Sequence, residues 1–265
     1  MDLLTAMRSE NAKSKRYYRA RIIFNILSLV LSWLAVYYSS NLCVSLFLLL
    51  LPCCSFFSTE LSLRRQGVAG RMRRLVMLMD SLANYKPSKL ELKQLQFDIG
   101  KLDNSEPEFT RPYYDSALPH GVNRLADNIA ESAYFTSNLS KIVCQAYAAL
   151  TVLFLLFTAF FIYTLLQIGI GATTAKNISQ CVALLVVFLA TADFSYLTFR
   201  YFDLHKTCFP LVEKCEALKN QSNPCVVEVL NTYTEYNCAL ALCPPLPSWA
   251  YALKRDELNK SWRQR

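Results

Sequence analysis

The chain has 265 residues, of which 53% are hydrophobic and 18% charged, against about 45–50% and about 25% in an average soluble domain. Twenty-eight Lys and Arg against twenty Asp and Glu give a formal charge of +8. The same counts exclude whole classes of chemistry: six glycines leave no Walker loop or dinucleotide fingerprint, and two histidines, His120 and His205, leave no HExxH motif and no catalytic triad. A nucleophile elbow is missing as well, so no enzyme and no cofactor are expected.

Residues 1–21 carry Arg8, Lys13, Lys15, Arg16, Arg19 and Arg21 and form a polar N-terminal segment, too charged and without the small-residue cleavage site of a signal peptide. From Ile22 to Thr59 no residue is charged. One helix of that length would measure roughly 57 Å, nearly twice a hydrocarbon thickness of about 30 Å, so the segment must fold back. Ser39, Ser40 and Asn41 are its only consecutive polar residues near the middle. They divide residues 22–59 into a transmembrane hairpin with helices of about 17 residues, the second containing Pro52. Asn25, Ser28 and Ser32 form a polar stripe on the first helix, which helix packing or a water path explains equally.

Residues 60–141 read as a cytoplasmic helical insert. Leu61, Leu75, Met79 and Leu82 can share a helical stripe, with Arg64, Arg65, Arg71, Arg73 and Arg74 crowded next to the bilayer. Such a cluster satisfies the positive-inside rule and touches anionic head groups. The sharper alternative makes some of these arginines, Arg74 among them, a pocket for phosphate, which guanidinium matches bidentately. Ser88 to Gly100, with Leu90, Leu92, Leu95 and Ile99, predicts a short helix, followed by an acidic loop containing proline. From Val122 the pattern Leu125, Ile129, Phe135, Leu139 runs on without a breaker, predicting one long helix that enters the membrane from the cytoplasm.

Residues 142–201 predict a second hairpin, charged only at Lys176, Asp193 and Arg200, with a turn from Gly169 through Asn177. Asp193 is the one acid well inside a hydrophobic segment, which suits a structural hydrogen bond or a place in a pore or its gate. Residues 202–265 form a cytoplasmic tail. An amphipathic helix through Leu218 precedes a break at Asn223 and Pro224, a helix from Val226 to about Leu242, the stiff stretch Cys243-Pro-Pro-Leu-Pro247, and a last helix. His205, Cys208 and Cys215 lack a CxxC knuckle and a fourth nearby ligand, so no metal is expected. The ten cysteines fall in the presumed membrane helices or the presumed cytoplasm, where thiols stay reduced.

Arg and Lys precede the first predicted span and follow the second and the fourth, whereas the two outer turns carry only Lys176. The fold class is therefore an all-α membrane protein with four transmembrane helices as two hairpins and a helical cytoplasmic region, both termini cytoplasmic.

Several stretches resemble the S-4TM family, the four-helix transmembrane effectors found beside cyclic-nucleotide synthases in bacterial anti-phage systems of the CBASS type. They are Asp127-Asn-Ile-Ala-Glu-Ser-Ala-Tyr-Phe-Thr136, Pro244-Pro-Leu-Pro-Ser-Trp249 and Lys254-Arg-Asp-Glu-Leu-Asn-Lys-Ser-Trp262. The layout of two hairpins around a cytoplasmic insert matches too, so the resemblance covers essentially the whole chain. It implies a multi-pass inner-membrane effector that senses a cyclic oligonucleotide, oligomerises and permeabilises the bilayer. DNA and RNA polymers are not among the implied partners. A cyclic oligonucleotide needs cations for phosphates and aromatic faces for bases, and Arg111, Tyr113, Tyr114, Arg124, Asn128, Tyr233 and Trp249 are compatible with that need, with Tyr236 and Tyr251 as further stacking surfaces. The rival readings are a constitutive small ion channel or transporter, and a membrane scaffold without flux.

Overall fold

The computed structural model describes residues 3–37, 42–99, 113–167 and 194–265, without some side chains in the apolar stretches of three helices. Among the described residues the chain is all-helical, with helices α1 (Leu3–Tyr37), α2 (Leu42–Ser81), α3 (Lys89–Ile99), α4 (Val122–Gln167), α5 (Phe194–Lys219), α6 (Val226–Ala241) and α7 (Ser248–Arg263). Two compact units divide them. The first comprises Met1–Lys15, Leu63–Val143 and Arg200–Arg265; the second comprises Arg16–Ser62 and Cys144–Phe199.

The polar N-terminal lead is not a loop before the first apolar stretch, since α1 is helical from Leu3. Its first turns bury Leu3, Leu4, Ala6 and Met7 against Val68, Met72, Leu75 and Val76 of α2 and Leu95 of α3. Each fully buried side chain of this size contributes about 1.5–3 kcal/mol. The stripe on α2 is therefore centred on Met72 and Val76, and Leu61, expected to share it, is exposed at the surface. Glu10 is completely buried yet satisfied, accepting from Lys13 at 2.6 Å and from Arg65 at 2.9 Å.

α3 begins with a capping box. Ser88 Oγ accepts the Glu91 backbone N–H at 3.2 Å, and the Ser88 N–H donates to Glu91 Oε2 at 2.9 Å. Only Leu95 of this helix is buried; Leu90 and Phe97 are exposed.

The chain enters α4 through Gly121, whose φ of 156° is strained for a residue with a Cβ. Its N–H donates to the Ser81 carbonyl at 2.8 Å, joining the end of α2 to the start of α4. Gly121→Ala is expected to lower stability by about 1–3 kcal/mol, read as a drop in the thermal unfolding midpoint of the purified chain.

The rest of the first unit packs α4 against the tail. α5 buries Leu204, Cys208, Leu211, Cys215 and Leu218, one face at helical spacing, and α6 buries Val229, Thr232, Tyr236 and Leu240. Asn123 Nδ2 donates to the carbonyls of Lys219 and Gln221 and so satisfies the end of α5. The proline-rich stretch is held by Tyr201 Oη donating to the Pro245 carbonyl at 3.2 Å and Gln66 Nε2 donating to the Cys243 carbonyl at 2.6 Å.

The described part of the second unit buries Tyr18, Tyr147, Phe194 and Leu197 together with small polar residues, and leaves many apolar side chains exposed. On α2 it buries Ser55, Ser58 and Ser62, while Leu46, Phe47, Leu50, Phe56 and Phe57 are exposed. On α1 and α4 it exposes Ile23, Ile26, Leu27, Val30, Val152, Leu153, Leu155 and Leu156. Among the described residues no helix is long and apolar enough to cross a membrane. The two predicted turns, and most of the predicted fourth span, lie outside the described residues.

Candidate functional site

A cavity of 670 Å³ opens within the first unit. Helical phase builds most of its wall. α1 contributes Arg8, Asn11 and Lys15, α2 contributes Gln66, Gly70 and Arg73, and α4 contributes Glu131, Phe135 and Leu139. In each set the spacing is three or four residues, which places the side chains on one face. Tyr236 of α6, Trp262 and Arg263 of α7, and Tyr113 and Tyr114 from the segment before α4 complete it.

Arg73 is the electrostatic centre. It lowers the pKa values of Tyr113, Tyr114, Tyr236 and Cys208, each of which burial raises by more. Tyr236 reaches about 12, so its phenol stays protonated and donates or accepts as a neutral group. Among the described residues, buried Arg73 Nε has no hydrogen-bond partner, and neither has Gln66 Oε1. A buried unsatisfied donor on a charged group costs more than about 1–3 kcal/mol, so the wall residue Arg73 carries an unsatisfied N–H beneath the cavity surface.

The lining cations Arg8, Lys15, Arg73 and Arg263 face the acids Asp115 and Glu131, a surplus of two positive charges. Arg263 bridges Asp115 at 3.5 Å. Burial, reinforced by Asp115, Asp127 and Asp80, raises the Glu131 carboxyl to about 7, although it accepts the Asp115 backbone N–H at 3.1 Å. The folded state thus holds a proton between about pH 4.5 and 7 that the unfolded chain gives up. The resulting stabilisation is complete below the unfolded pKa and is lost as pH rises through about 7. Replacing Glu131 by glutamine removes this dependence, so the unfolding midpoint of the variant relative to wild type is expected to rise between about pH 5 and about pH 8.

Of the residues singled out from sequence, Tyr113 and Tyr114 line the cavity, their rings edge to face at 4.8 Å. Arg74 is exposed outside it, and Tyr233 Oη donates to the Arg74 carbonyl at 3.1 Å. Trp249 is 46% exposed and Tyr251, two residues on, lines the cavity in its place. Arg124 and Asn128 are committed elsewhere: Arg124 Nη2 lies 3.2 Å from both Asp80 carboxylate oxygens, and Asn128 Nδ2 donates to Asp80 Oδ2 at 2.8 Å. Arg111 lies outside the described residues.

In the second unit, Asn25 Oδ1 accepts from Ser55 Oγ at 2.7 Å, a bond between α1 and α2. Ser28 is half-buried on α1, the Ser32 side chain is outside those described, and Asp193 lies outside the described residues. His205 Nδ1 meets Ser137 Oγ at 2.9 Å, and burial pushes the thiols of Cys208 and Cys215 up to about 12. Among the described residues no group of three or more His, Cys, Asp or Glu could hold a metal ion.

Sequence reasoning passed over Arg8, Lys15, Glu131 and Trp262 as wall residues. Their signal is phase: Arg8, Asn11 and Lys15 recur at helical spacing only once residues 3–21 are read as helix. No family model, curated protein or solved structure matches this chain.

Proposed function

We propose that the chain is a multi-pass membrane effector that binds a cyclic oligonucleotide in the cavity of its first unit and permeabilises the inner membrane through its second. The observation that carries this reading is the cavity itself. Its 670 Å³ lies within the range of about 300–1,000 Å³ typical of small-molecule sites. Cations stand on its wall beside Tyr113, Tyr114, Tyr236 and Trp262. Guanidinium and ammonium groups suit phosphates, and aromatic faces suit bases.

The polarity of the second unit supports the membrane half. Buried serines with exposed leucine, isoleucine and phenylalanine would be costly in water, where exposed apolar patches mark interaction surfaces. In lipid the arrangement is favourable, because small polar residues pack helices together while apolar ones meet acyl chains. The charge-free runs at 22–59 and 142–167 have the length this requires. α1, α2, α4 and α5 each contribute residues to both units, giving a ligand-induced shift a continuous helical route. Four helices this apolar have little polar surface to line a pore, so permeation takes several copies.

The test is dye release from vesicles carrying the purified chain, challenged with a panel of cyclic di- and trinucleotides. Release on addition of at least one ring, with none before it, is expected. Intact vesicles with every ring, together with no binding, would remove the reading.

A further inference from the structure

The cations and aromatic rings of the cavity suit any nucleotide, since phosphates and ring faces are common to all bases. A carboxylate discriminates, because when ionised it only accepts hydrogen bonds. Asp115 is drawn toward Arg263. Glu131, on the wall with Tyr113 and Arg73, is held among the described residues by the bond from the Asp115 backbone N–H to its Oε2 at 3.1 Å. That bond takes one of about four lone-pair positions on the carboxylate, leaving Oε1 and part of Oε2 to a ligand.

We propose that Glu131 reads the pairing edge of a guanine, so that the ring taken by this cavity carries at least one guanine base; this rests on the cyclic-nucleotide reading. Guanine presents two adjacent donors on that edge, N1–H and the N2 amino group. Adenine and cytosine set a donor beside an acceptor, and uracil sets one donor between two acceptors. A carboxylate pairs both of its oxygens with the first pattern and meets a lone pair in each of the others. Tyr113, edge to face with Tyr114, offers a ring face in the same cavity for the base so held.

The pairing has a pH signature. Two guanine donors favour the ionised carboxylate, so binding strengthens as pH rises through the Glu131 value of about 7. An adenine edge favours the protonated acid and gives the opposite slope. The charged groups acting on Glu131 are Asp115, Asp127 and Asp80, and Arg8, Lys15, Arg73 and Arg263 share its cavity.

The test is calorimetric titration of the full chain in nanodiscs with cyclic di-GMP, cyclic di-AMP and cyclic di-UMP, at about pH 6 and about pH 8. The guanine ring is expected to bind at least about tenfold more tightly than the others, with the advantage widening at the higher pH. Glu131→Gln sets an amide N–H against a guanine donor and should erase about tenfold to hundredfold of that preference. An adenine or uracil ring bound as tightly as the guanine ring, or a preference unchanged in Glu131→Gln, overturns the base assignment and leaves the nucleotide reading standing. Binding by none of the three rings overturns both.

Discussion

Asp80→Ala is expected to destabilise the first unit by about 3–5 kcal/mol, the range seen when one partner of a buried ion pair is removed. Asp80 is 7% exposed and Arg124 is 14% exposed. The Asp80 carboxylate accepts from Arg124 Nε at 3.2 Å, from Arg124 Nη2, and from Asn128 Nδ2 at 2.8 Å. His120 Nδ1 meets the Asp80 carbonyl at 3.0 Å, and the Gly121 N–H reaches the next carbonyl, that of Ser81. This cluster therefore fastens the last turn of α2 to the first turns of α4. Alanine takes the acceptor from Arg124 Nε and Nη2, with Nη1 keeping its bond to the Leu118 carbonyl, and leaves the fully buried Asn128 amide with Ser81 Oγ but not the carboxylate, so the cost exceeds the net value of the pair. Asp80→Asn keeps the shape and one acceptor, and a smaller loss is expected. Thermal unfolding of the two variants, followed by helical circular dichroism, checks the order. Equal midpoints for wild type and Asp80→Ala would show that the cluster does not hold the helices.

Arg73→Ala is expected to weaken the proposed cyclic-nucleotide binding by about tenfold to hundredfold, the equivalent of about 1.5–3 kcal/mol for a hydrogen bond to a charged group. The effect on folding should be small or favourable, because the Nε donor is already buried without a partner among the described residues. This separates Arg73 from Asp80: the first substitution weakens binding and spares the fold, whereas the second destabilises the fold. Arg73→Lys keeps the charge and loses the planar fork, so an intermediate affinity is expected. Calorimetric titration of the two variants beside their unfolding midpoints measures both halves. A variant that binds like wild type would place the phosphates elsewhere on the wall.

Local pattern made much of the helical framework legible. The unbroken run from Val122 predicts the long α4, Asn223 and Pro224 mark the gap between α5 and α6, and the prolines at 244, 245 and 247 separate α6 from α7. Each of these signals is read within a few residues, where periodicity and backbone restriction act. The packing of residues 3–15 was not legible that way. A lead rich in Lys and Arg gives no local sign that Leu3, Met7 and Glu10 are buried; the partners that bury them, Met72 and Arg65, are more than fifty residues away.

The site divides along the same line. Tyr113 and Tyr114 were identifiable as an aromatic pair near basic residues, and they do line the cavity. Arg124 and Asn128 look equally suitable in sequence, yet Asp80, separated from them by 44 and 48 positions, engages both. Among the five arginines from 64 to 74, only the helix phase shared with Gln66 and Gly70 distinguishes Arg73 from Arg74. That phase has meaning only after the neighbouring helices are in place.

Ligand binding in the first unit and membrane permeation by the second are the two halves of the proposed activity, so the most direct measurement follows both events in one sample. Vesicles containing the chain and a trapped dye would be titrated with cyclic di-GMP while bound ligand and released dye are recorded together. The predicted result is release that rises with occupancy and saturates with it, shifted to higher ligand concentration in Arg73→Ala. Saturated binding with the dye retained, or release that is independent of ligand, would contradict it.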